Sequence, residues 1–188
     1  MKKFVLLVVA LLATAVTAHA QPVQVALTTT AKAITQTVNG VTTIVTPAPT
    51  TLYGLEMVLQ LPVGVTPRLD PAAPGTNFVD PATIVLADNS SLNTGTSFSA
   101  AYFPSATPAT VGDTVKLVIA NPYGFKFGLF GALSFDYKPG FIRTYNATTG
   151  TVTNVNFTVA SFRAVDVNGY TIPATQATGS ISKSYSWQ

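Results

Sequence analysis

Residues 115–141 read "VKLVIANPYGFKFGLFGALSFDYKPGF", and their hydrophobicity alternates with a period of two. Val115, Leu117, Ile119, Tyr123, Phe125, Phe127, Leu129, Leu133, Phe135 and Tyr137 occupy odd positions, while Lys116, Lys126, Ser134, Asp136 and Lys138 occupy even ones. Val118, Ala120, Phe130 and Ala132 are the apolar exceptions. Successive side chains of a strand point to opposite faces, whereas a helix repeats every 3.6 residues, so this run is compatible with strands and not with a helix. The "NPYG" step at 121–124 reads as a turn between two strands. Leu117, Ile119, Leu133 and Phe135 are expected in the core, where each large side chain contributes about 1.5–3 kcal/mol by burial. Tyr123, Phe125 and Phe127 flank the glycine-rich turn and are open to exposure.

The same reading extends along the chain. "VQVALTTTAKAITQTVNGVTTIVT" (23–46) is rich in Val, Ile and Thr around Asn39-Gly40, a step that tolerates positive φ at both residues and signals a hairpin. In "LYGLEMVLQLPVGV" (52–65), Leu55, Met57, Leu59 and Leu61 share one face. Residues 66–81 are proline-dense and irregular, 82–88 form a short strand, and a further strand is expected around Ser97–Phe103. Val155, Phe157, Val159 and Phe162 precede the turn Asn168-Gly169, and "GSISKSYSWQ" (179–188) sets Ile181 and Tyr185 against serines. The sum is an all-β chain of about eight to nine strands in a single sandwich or barrel domain.

Residues 1–20 are expected to be a secretory signal peptide. Lys2 and Lys3 form a positive start, Phe4–Val16 an apolar core too short to span a membrane, and Ala18-His19-Ala20 a small-residue cleavage site before Gln21. The domain then occupies 21–188, outside the cytoplasm: extracellular, at the cell surface or periplasmic. Without Lys2 and Lys3 the ten basic residues become eight against seven acidic ones, and the net charge falls from +3 to +1. The remaining basic residues are scattered, so nucleic acid is not an expected partner. The only histidine, His19, leaves with the leader, and there is no cysteine. That excludes triad and thiol nucleophiles and the usual His/Cys zinc sites.

The seven acids are Glu56, Asp70, Asp80, Asp88, Asp113, Asp136 and Asp166. No spacing suggests the paired carboxylates of a glycosidase, and Asp70, Asp80, Asp88, Asp113 and Asp166 sit beside Pro, Asn or Gly, where a short acceptor side chain caps turns. The expectation is a protein that is not an enzyme. "DVNG" (166–169) reads as a hairpin and not a calcium loop, because no later acid follows; no cofactor is expected, and calcium held by loop oxygens stays open.

"GLEMVLQLPVGV", "GDTVKLVIANPYGF", "GALSFDYKPG" and "NFTVASFRAVDVNGYTI" together resemble the cohesin-like domains of secreted bacterial proteins, over roughly residues 52–172. The resemblance implies a jelly-roll sandwich of about nine strands shared with carbohydrate-binding modules. It also implies non-catalytic binding, either of an extracellular protein (dockerin-like or a surface protein) or of polysaccharide.

Tyr102, Tyr123, Phe127, Tyr145 and Trp187 are the candidate binding surface, as aromatic side chains in or near turns and edges. The leading expectation is an adhesion or assembly module that engages a protein through a sheet face or edge strand. A carbohydrate-binding module is the alternative. A small outer-membrane barrel is disfavoured by the prolines between residues 62 and 108, and a structural surface subunit shares the features of the leading reading.

Overall fold

The computed structural model describes residues 21–87, 95–108, 110–137, 143–146, 151–154 and 156–185. The expected leader, residues 1–20, lies outside them. Two five-stranded antiparallel sheets dominate. One has the order β14-β1-β9-β5, with β6 also on β9: β1 is Gln21–Ala31, β5 Val65–Thr66, β6 Ile84–Leu86, β9 Gly128–Tyr137 and β14 Ala177–Tyr185. The other has the order β13-β12-β4-β8-β7: β4 is Thr51–Gln60, β7 Ser97–Phe103, β8 Thr114–Lys126, β12 Thr158–Val165 and β13 Thr171–Ile172. Two hairpins stand apart, β2 (Ile34–Val38) with β3 (Val41–Thr46) and β10 (Arg143–Asn146) with β11 (Thr151–Asn154).

This is the all-β, sandwich-like architecture that the alternation predicts. Neither sheet closes into a barrel among the described residues. Fourteen strands are present there, more than the eight or nine read from the sequence. A pairing as short as β5 carries too few residues to show a period, whereas β6 falls within the short strand expected over 82–88.

One core joins the sheets. Val23, Val25 and Leu27 of β1 and Leu133 and Phe135 of β9 meet Leu55, Met57 and Leu59 of β4 and Val115, Leu117 and Ile119 of β8. Phe135 and Phe157 stack tilted at 5.3 Å. At one margin the Met57 and Phe162 side chains of the second sheet press against the backbone of β14: a Cβ on Gly179 would lie 2.5 Å from both.

Two expectations about the aromatic stretch need correction. "NPYG" is not the turn between strands but a bulge inside β8, where Gly54 pairs with Ala120 and Leu52 with Phe125. The chain changes sheets later, at Phe127. The odd-position rule then slips: Leu129 is exposed and Phe130 is fully buried. The register against β1 shifts there, Leu27 facing Gly131 and Thr28 facing Leu129, so Phe130 is the extra residue of a β-bulge and turns inward. The proline-dense segment is also more ordered than its composition suggests. Leu69 bridges Val79, and Phe78 bridges Ala101 of β7, so part of this segment lies along that edge of the second sheet.

Candidate functional site

The five aromatic candidates do not form one platform. Tyr102 and Tyr123 lie at opposite ends of β8. Tyr102 faces Val115, and Tyr123 follows eight residues later, roughly 26 Å along the chain at the strand rise. Phe127 packs against the core at the crossover. Tyr145 faces Val152 across the β10–β11 hairpin, and its side chain lies outside the described structure, as does Trp187 entirely.

Tyr102 belongs to a structural corner. Its hydroxyl donates to Asp113 Oδ2 at 2.6 Å, and the Ser105 amide donates to Oδ1 at 2.7 Å. The Asp113 carbonyl accepts from the Leu61 amide at 2.8 Å and from Gln60 Nε2 at 3.1 Å. A Cβ on Gly112 would overlap the Leu61 carbonyl oxygen, so glycine is what lets this loop close on the end of β4. The "GDTVKL" motif therefore fastens strand ends, with both carboxylate oxygens committed. Burial, the hydrogen bond to Asp113 and the negative charge of that carboxylate push the Tyr102 phenol up to about 12.

Tyr123 is placed differently. Buried Asn121 accepts from the Tyr123 amide at 2.8 Å and donates to Thr96 Oγ1 at 2.8 Å, which fixes the bulge from inside. The Tyr123 ring passes over Gly95 and is 73% exposed. Tyr53, which falls in the register gap opposite the bulge, lies beside Gly124. Sequence reasoning missed Tyr53, because only the bulge brings it there.

Other acids serve local structure. Asp70 accepts from the Ala72 amide, Asp80 caps the short 3-10 turn at Pro81–Thr83, and Asp166 accepts from the Asn168 and Tyr170 amides in the β12–β13 hairpin. Asp88 lies outside the described residues. Glu56 pairs with Lys116 at 2.7 Å on the outer face of the second sheet, where Arg163 sits opposite Glu56. Among the described residues no three acidic, histidine or cysteine side chains converge as a metal site.

Among the described residues the β2–β3 arm groups five exposed large apolar side chains, Ile34, Val38, Val41, Ile44 and Val45. Asn39 and Gly40 have φ of 51° and 78°, which makes the two-residue turn a type I′ turn, as the Asn-Gly step predicts. Every residue from Ile34 to Val45 is exposed, including Val41 at 64% and Ile44 at 68%. No charged residue occurs between Lys32 and Glu56. Gln176 holds the base from both sides: its carbonyl accepts from the Lys32 amide at 2.8 Å and its side-chain amide donates to the Pro47 carbonyl at 3.2 Å. The arm is thus anchored at its root and unpaired along its length. Edge strands are usually blunted by Lys, Pro or a bulge. Here only β3 has such a device, a register break at Val45.

Comparisons of this chain with protein families, with curated proteins and with solved structures find no match.

Proposed function

We propose that this chain is a secreted, non-catalytic binding module of cohesin-like, jelly-roll type, which takes up a protein partner along an open strand edge. The β2–β3 arm carries the reading: a two-stranded sheet is marginal alone in water, and this one leaves its outer backbone groups and its Val and Ile side chains to solvent. The exchange of long strands between sheets (β4 and β8 in one, β9 in the other, β12 back, β14 across) supports the jelly-roll assignment. After loss of residues 1–20 the module works outside the cytoplasm, against an extracellular or surface protein.

The antiparallel alternation tells which edge groups are free. Val38 and Val41 close the turn as a hydrogen-bonded pair, so the backbone groups of Thr35 and Thr37 on β2, and of Thr42 and Ile44 on β3, point outward. Proline at Thr37 and Thr42 removes outward donors and spares the hairpin's own ladder. Immobilised residues 21–188 should retain a partner from the producing organism's secreted proteins, and the T37P/T42P chain should lose it. Equal retention by both chains contradicts the reading.

Tyr123 favours a second reading, a carbohydrate-binding module, because a buried asparagine bonds its backbone amide while its side chain is exposed to solvent. Retention of envelope polysaccharide alone, abolished by Tyr123→Ala and untouched by T37P/T42P, would establish that alternative.

A further inference from the structure

We infer that the partner of the arm is a second copy of this chain, joined through β2 about a two-fold axis at Gln36; the inference rests on the arm being the docking edge. The strand reads Ile34-Thr35-Gln36-Thr37-Val38, and reversed it keeps the same classes of side chain at every position. Antiparallel pairing of β2 with itself, centred on Gln36, sets Ile34 against the partner's Val38, Thr35 against the partner's Thr37, and Gln36 against the partner's Gln36. A two-fold interface requires this self-complementarity, and a foreign partner does not.

Backbone geometry permits the arrangement. The outward groups of β2 belong to Thr35 and Thr37, and in this register each faces the other's counterpart, giving two hydrogen-bonded pairs. Gln36 points its backbone groups to Thr43 of its own hairpin, so Gln36 and the partner's Gln36 form a non-hydrogen-bonded pair, with Cα atoms about 4.5 Å apart. On one face Val41 and Val38 continue into the partner's Ile34, with a glutamine pair at the centre.

The other edge does not offer the same match. Val41-Thr42-Thr43-Ile44 is also palindromic, but its centre falls between two residues. That register would set outward-facing Thr42 against the partner's inward-facing Thr43, which an antiparallel ladder forbids. The break at Val45 interrupts the longer registers on β3. The absence of charge along the arm removes the repulsion that a two-fold axis would otherwise impose on like residues. Five paired residues make a short interface, so the dimer is concentration-dependent.

The chain has no cysteine, which makes a single thiol an unambiguous reporter. Gln36→Cys in residues 21–188 places two thiols within the Cα range that a disulfide bridges. Mild oxidation should convert most of this variant to a covalent dimer, at a rate at least tenfold above Thr43→Cys. In the paired sheet Thr43 and the partner's Thr43 are separated by three strand spacings, about 14 Å, too far to bridge. Adding Thr37→Pro to Gln36→Cys should abolish the cross-link while circular dichroism stays unchanged. A Gln36→Cys chain that stays monomeric, or cross-links no faster than Thr43→Cys, overturns the inference. The docking reading itself falls separately, if T37P/T42P leaves partner capture intact.

Discussion

Tyr102 is the residue whose chemistry the fold alters most clearly. Its phenol keeps its proton to about pH 12 in the folded chain, against an ordinary value of 10.0. Its contribution to stability is therefore fully present below pH 10 and is lost as the pH rises through 12, because only the unfolded chain loses this proton between those limits. The stability difference between the native chain and Tyr102→Phe should be constant below pH 10 and shrink above it. Absorbance titration at 295 nm should show the Tyr102 phenol ionising late, moved toward 10 by Asp113→Asn. At Gly179 the argument is steric. Met57 and Phe162 stand where a Cβ would go, so Gly179→Ala should destabilise by about 1–3 kcal/mol in urea, typical of overpacking. A variant as stable as the native chain would show that the sheets part there at no cost.

Among elements, the arm and β1 come from one Thr- and Val-rich run and have opposite fates. β1 lies between β14 and β9 with Val23, Val25 and Leu27 fully buried, whereas β2 and β3 contribute nothing to the core. Gln176 is the only described side chain that grips the root of the arm from the loop before β14. Gln176→Ala should leave the denaturation midpoint of the body within about 1 kcal/mol, the usual worth of a hydrogen bond, and speed amide exchange in residues 34–45. The sequence made the strand of Ser97–Phe103, the apolar face of β4 and the Asn39-Gly40 turn legible, because each depends on local period or local φ. The bulges at Asn121–Gly124 and Phe130 were not legible, since they arise from register against β4 and β1, distant in sequence. For the same reason the aromatic candidates scattered. Their spacing along the chain was visible, but the end of the sheet on which each falls was not. The ITQTV palindrome was in plain view, yet it acquires meaning only once β2 is known to be a free edge.

At the scale of the whole molecule, the core and the docking edge are separable. Leu27→Ala should cost about 2–5 kcal/mol, as buried leucines do, and a chain lacking residues 21–46 should fail to fold because the first sheet loses its central strand. Edge variants of the arm should leave thermal unfolding unchanged while altering association. The most direct measurement of the central claim is residue-resolved amide exchange of 21–188, dilute and in the presence of its captured partner. Gln36 and Val38, bonded within the hairpin, should be protected in both states. Thr35 and Thr37 should exchange freely when the chain is alone and become protected on docking. Unchanged exchange at Thr35, Thr37, Thr42 and Ile44 in the bound state, with protection rising elsewhere, would contradict the account and move the binding site off the arm.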